Sequence, residues 1–184
     1  MLTINALIAL VVFATSFLMA WLSGVDIALG NYLWLPMGAK ILAFLLFGFW
    51  AFPGVLLGSL MSGFLLYDFW NVNPIYGPLG SLVGVCAPML AILIMRFFRL
   101  SDFFNEGLKI QFGHVLFLVI LSALINTLFK LFIYLNKVSH LNGQTIDVAQ
   151  FIQSYLVGDI LGGIVFIYIV FKFFAPQLVN HKLI

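Results

Sequence analysis

The sequence predicts an all-α, polytopic membrane helix bundle of about six transmembrane helices, with N- and C-termini both cytoplasmic. Three observations predict it. Of its 184 residues, 64% are hydrophobic and 8% charged, where soluble domains carry about 25% charged residues; its mean hydropathy is +1.20. Its apolar residues run in stretches close to the roughly 20 residues that cross a bilayer. Its basic residues gather at one set of stretch ends. Residues 1–184 therefore read as a single integral membrane domain, with no length left for an appended catalytic or DNA-binding domain. The lipid bilayer is the first partner, and nucleic acid is excluded.

The first span lies near 4–22. It lacks the basic leader and small-x-small cleavage site of a signal peptide, so it reads as a retained helix. The second and third, near 34–51 and 53–68, meet at Ala51-Phe52-Pro53-Gly54, which predicts a tight antiparallel hairpin. The remaining spans lie near 77–98, 110–135 and 150–174. Pro36, Pro53 and Pro78 each open a span, where a missing N–H costs nothing because it would have no helical partner. With the N-terminus inside, Arg96, Arg99, Lys109, Lys172 and Lys182 fall on the cytoplasmic side and Lys137 outside, as the positive-inside rule asks. Trp21, Trp34, Trp70, Tyr32, Tyr76 and Tyr134 then form an outer aromatic belt, and Trp50 marks the inner interface. Gly54 and Gly58, Gly80 and Gly84, and Gly158 and Gly162 are each four apart, a spacing that lets helix backbones approach closely.

Against this apolar background the polar residues stand out. Lys40 and Asp159 sit inside long apolar runs, where a charge costs about 2.5–3.5 kcal/mol even on the gentlest insertion scale. At 1.5 Å per residue they lie roughly 8 and 13 Å below the outer ends of their spans. Ser122, Asn126 and Lys130 recur every fourth residue and form one polar stripe. Asn126 matches the depth of Asp159, and Lys130 that of Lys40. Asp68 adds a carboxylate at the outer end of the third span.

Two readings fit these residues. In one, Lys40 and Lys130 snorkel to the surface, and Asp159 caps or hydrogen-bonds a neighbouring helix; a structural pair of Lys40 with Asp159 that fixes the bundle stands as an alternative to a ligand. In the other, Asp159 and Asn126 floor a pocket open to the outside, and Lys40, Lys130 and Asp68 rim it. The free amides of Leu35-Pro36-Met37-Gly38 would then face an anionic group. Such a site suits a small polar or zwitterionic ligand.

Catalytic constellations are poor. His114, His140 and His181 are scattered with no metal-ligand spacing, and the single cysteine, Cys86, excludes an internal disulfide and a thiolate cluster. There is no triad to argue for and no glycine-rich phosphate loop. The expectation is no catalytic residue, no metal, no cofactor and no enzyme. The segment 99–109 mixes both charge signs and reads as an amphipathic linker or docking surface.

Two blocks carry a resemblance. LWLPMGAKILAFLLFGFWAFPGVLLGSLMSGF (33–64) and YLVGDILGGIVFIYIVF (155–171) resemble the bacterial membrane-associated sensor family, the first of the MASE domains. Pro36, Gly38, Pro53 and Gly58 match its opening block, and Gly158, Asp159 and Gly162 its late Gly-Asp-x-x-Gly segment. The resemblance implies an integral sensory domain of the bacterial cytoplasmic membrane that signals through a kinase or cyclase partner. The chain departs from the family in having about six spans rather than about eight, in lacking an output domain, and in carrying Lys40 at a position that is typically apolar. Its size and outward site are also similar to the substrate-binding subunits of energy-coupling-factor transporters, which would dock on a transporter module. The first span lacks their Ala-x-x-x-Ala pair, because Ala6, Ala9, Ala14 and Ala20 are never four apart. An accessory subunit of a larger membrane complex is the third reading.

Overall fold

A computed structural model describes residues 1–23, 31–72, 74–100, 112–135 and 147–180, without the side chains of 69, 72, 134–135 and 174–180. The loop from 101, Lys109, Lys137, His140, His181, Lys182 and the Tyr134 side chain lie outside that description. All regular structure among the described residues is helical: α1 (Leu2–Ser23), α2 (Leu35–Phe47), a 3₁₀ turn (Gly48–Ala51), α3 (Phe52–Leu66), a short α4 (Phe69–Val72), α5 (Tyr76–Phe97), α6 (Phe112–Leu135) and α7 (Val148–Asn180). Five stretches among the described residues are long and apolar enough to cross a membrane, and Leu35–Leu66 counts as one of them. The chain is thus a multi-pass membrane protein.

Local chemistry explains where the helices begin. Pro36 and Pro53 occupy the first turns of α2 and α3, preset for helix and missing only a donor that would lack a partner. Asp147 caps α7 by accepting the Ala149 N–H at 2.9 Å, which satisfies one of the free donors of that end. Between α2 and α3 the chain turns at Gly48, whose φ of +62° is a conformation that side-chain-bearing residues rarely adopt.

Residue contacts give the helix directions. Asn5 meets Gly54 and Ala9 meets Gly58, so α1 and α3 run side by side in the same direction. The start of α3 is tied to the start of α1 by a hydrogen bond from the Gly54 N–H to Asn5 Oδ1 at 2.9 Å. Trp34, at the start of α2, stacks against Tyr67, at the end of α3, with ring centroids 6.0 Å apart. The chain therefore reverses between α2 and α3. However, the two helices touch little along their lengths, and the expected tight pairing is replaced by packing of α2 on α7 and of α3 on α1.

The reason lies in α2. Every residue from Leu35 to Phe44 is buried, and a helix apolar on all sides must be surrounded on all sides. Helix α2 is the core of the bundle, touched by α1, α5, α6 and α7. Trp34 and Gly38 meet Gly162 and Gly163 in turn, so α2 runs parallel to α7. Asn126 meets Asp159 and Val119 meets Gly163, so α6 runs antiparallel to α7.

Candidate functional site

The central position of α2 decides the environment of its lysine. Lys40 is 7% exposed, and the bundle closes around it on every side that α2 presents. Its ammonium lies toward Gly84 of α5: a Cβ at that glycine would stand 3.3 Å from Lys40 Nζ and 3.5 Å from Asn126 Oδ1. Gly84 is thus the place where Lys40 of α2 and Asn126 of α6 come together. Four residues further along α5 is Pro88, inside the helix. Proline has no N–H to donate to the carbonyl four residues back, so the Gly84 carbonyl loses its helical partner beside the ammonium.

On the other side of Asn126 lies α7. Asn126 Nδ2 donates to Asp159 Oδ2 at 2.5 Å, and both residues are 1% exposed. A carboxylate only accepts, so this bond fixes which way the amide points. Its oxygen is left over: Asn126 Oδ1 is buried with no hydrogen-bond partner. Ser122 Oγ, one turn away, and Thr127 Oγ1 are buried and unpartnered as well. An unmade bond of this kind costs about 1–3 kcal/mol in a protein interior, with no water to relieve it in a bilayer core.

Lys130 completes the group. Its Nζ stands 4.6 Å from the centroid of the Tyr155 ring on α7, a cation–π contact worth about 0.5–2 kcal/mol depending on desolvation. It lies close enough to Lys40 and Asp159 for their charges to act on one another. Among the described residues neither ammonium closes a direct ion pair with Asp159, whose bonded partner is Asn126. Buried Lys40 and Asp159 and half-buried Lys130 therefore share one region with a formal charge of +1.

The structure thus brings together Lys40, Asn126, Lys130 and Asp159. It places Asp68 elsewhere. That residue is exposed beyond the end of α3, at φ +47°, where its carboxylate accepts two bonds from Asn71 Nδ2 at 2.9 and 3.1 Å. Next to it in the chain, the hydroxyl of Tyr67 is buried without a partner. The glycines divide by task. Gly54 and Gly58 admit the α1 backbone, and Gly158 and Gly162 admit residues 31–34, with the Trp34 N–H donating to the Gly158 carbonyl at 2.9 Å. Gly80 is buried on α5. Gly84 faces side-chain ends rather than a backbone and leaves room for the polar cluster.

Sequence reasoning missed Tyr155, Thr127 and the pairing of Gly84 with Pro88. The last had a visible signal, since a glycine four residues before a proline in an apolar helix marks a free carbonyl with open space next to it. No family model, curated protein or solved structure matches the chain.

Proposed function

We propose that this chain is a sensory module of the bacterial cytoplasmic membrane that binds a small polar molecule and reports its presence to a membrane partner. The observation that carries the reading is the buried, unpartnered Asn126 carbonyl held between Lys40 and Asp159. An interior that isolates charges and leaves acceptors open is costly as pure scaffold, and such residues inside membranes mark functional sites. The proposed topology has six crossings with both termini in the cytoplasm. The parallel course of α1 and α3 supports it, because the chain must return between them. Arg96 and Lys172, near the ends of α5 and α7, then share the cytoplasmic side. In that topology the cluster lies in the outer half of the bilayer, and the resemblance to the sensor family supplies the signalling role.

Native mass spectrometry of gently extracted protein tests the binding. A bound small molecule is expected on the wild type and lost in Asn126→Leu and Asp159→Asn. An empty wild type overturns the reading. Crosslinking in native membranes tests the role: a kinase or cyclase partner supports the sensor, and an ATPase module would make the chain a transporter's substrate-binding subunit instead.

A further inference from the structure

In the proposed topology, α2 begins far below the outer ends of its neighbours. Trp34, just before it, meets Gly162, which lies fourteen residues along α7 from Val148, or roughly 21 Å at 1.5 Å per residue. Val119 meets the next residue, Gly163, and stands sixteen residues before Leu135, the outer end of α6, roughly 24 Å by the same rise. A hydrocarbon core is about 30 Å thick, so the chain enters α2 near mid-membrane. Helix α3 also stops short. Asn5 lies beside Gly54 and Ala9 beside Gly58. Continuing that register puts Asp68 level with Met19 of α1, four residues before Ser23, roughly 6 Å below the outer end of α1.

Two polar stretches therefore lie at depths where lipid tails would be. Residues 31–34 form no regular structure, and their backbone runs along Gly158 and Gly162, with the Trp34 N–H bonded to the Gly158 carbonyl. Tyr32, beside Gly158, is 54% exposed. The Asp68 carboxylate is exposed as well, and the stacking of Trp34 on Tyr67 joins the two stretches. Irregular backbone does not face lipid within the hydrocarbon region; it occurs where protein buries it or where water reaches it. With Tyr32 and Asp68 exposed, the second case holds. We infer that an aqueous depression, open to the outside, descends past Asp68 and Tyr67 to the start of α2, with Tyr32 on its wall. Tyr32, Trp34, Tyr67 and Trp70 all belong to these stretches, and tyrosine and tryptophan favour the boundary between water and lipid. Water reaches this depth whether or not a ligand is bound.

Single cysteines in a Cys86→Ser background test the depression. A thiol reacts as its thiolate, which apolar surroundings disfavour, so a charged, impermeant thiosulfonate labels the positions that water reaches. The matched control is Leu124→Cys. Leu124 is 41% exposed on α6, eleven residues before Leu135, roughly 16 Å down and close to the depth of Tyr32. In intact spheroplasts Tyr32→Cys and Leu33→Cys should be labelled from outside at least about tenfold faster than Leu124→Cys, the effect of one pKa unit on the thiolate fraction. All three should label fully after unfolding in SDS, and two positions keep the test informative if one replacement disturbs the fold. Silence of both segment cysteines before and after lysis overturns the inference, because protein then seals residues 31–34. Labelling of them only after lysis overturns the outward opening. A Leu124→Cys that reacts as fast as Tyr32→Cys overturns the mid-membrane depth. Native mass spectrometry reads ligand binding separately, so either conclusion can fall without the other.

Discussion

Lys40 is the sixth residue of a helix whose first ten residues are all buried, so its stem has neighbours in every direction and no short route to the surface. Its charge is balanced at a distance by Asp159, which is shared with Lys130. Removing Asp159 leaves two ammonium groups facing each other, whereas removing Lys40 leaves Asp159 with Lys130 alone, so the loss of Asp159 costs less once Lys40 is gone. Lys40→Met and Asp159→Asn are therefore expected to destabilise the detergent-solubilised protein separately, with the double variant losing less than the sum. The coupling should fall in the roughly 0.5–3 kcal/mol range of residues that share a network, read from unfolding titrations of the four proteins; strict additivity would sink the coupling. The four clustered residues were legible in the sequence because a charge or amide inside an apolar run is conspicuous, and counting residues gives its depth. Depth alone does not give rotation. Nothing in the spacing shows that Lys130 leans on Tyr155 or that Asp68 turns away to Asn71.

At the scale of the helices, small residues decide which backbones meet. A Cβ at Gly158 or Gly162 would overlap the backbone of residues 31–34, and backbone cannot move aside as a side chain can. Gly158→Ala is expected to separate the start of α2 from α7, break the bond from the Trp34 N–H to the Gly158 carbonyl, and cost about 1–3 kcal/mol as overpacking does. Gly113→Ala is the contrasting case. Nothing lies within 4 Å of its missing Cβ in α6, and alanine is the better helix former by roughly 0.5–1 kcal/mol. Thermal unfolding in detergent should therefore fall for the first variant and hold or rise for the second; a neutral Gly158→Ala would show that the close approach is dispensable. The sequence displayed these glycine pairs but not their partners. It also suggested that α2 and α3, adjacent in the chain, would pack together. An apolar surface on all sides of α2 instead recruits α1, α5, α6 and α7, and adjacency settles only that the two helices share an end.

For the whole molecule, the open question is how a stretch of Leu35–Leu66 passes through the bilayer. Helices α2 and α3 have 13 and 15 residues, short of the roughly 20 that span a typical hydrocarbon core. A single passage through both would reverse α3 relative to α1 and leave five crossings, with the termini on opposite sides. The contacts of Asn5 with Gly54 and of Ala9 with Gly58 place α1 and α3 in the same direction. The stacking of Trp34 on Tyr67 returns the start of α2 to the end of α3. Two short crossings that lean inward around Gly48, in a locally thinned bilayer, meet both constraints, and mismatch of this size costs only fractions of a kcal/mol per ångström. Epitope tags added at the two termini should then be protected together from protease added to intact spheroplasts and digested together after lysis. In a Cys86→Ser background, Ser23→Cys and Asp147→Cys should react with an impermeant maleimide from outside, and Phe98→Cys only after lysis. Protection of one terminus but not the other would establish an odd number of crossings. It would also remove the outer-half position that the proposed ligand's route into the cluster requires.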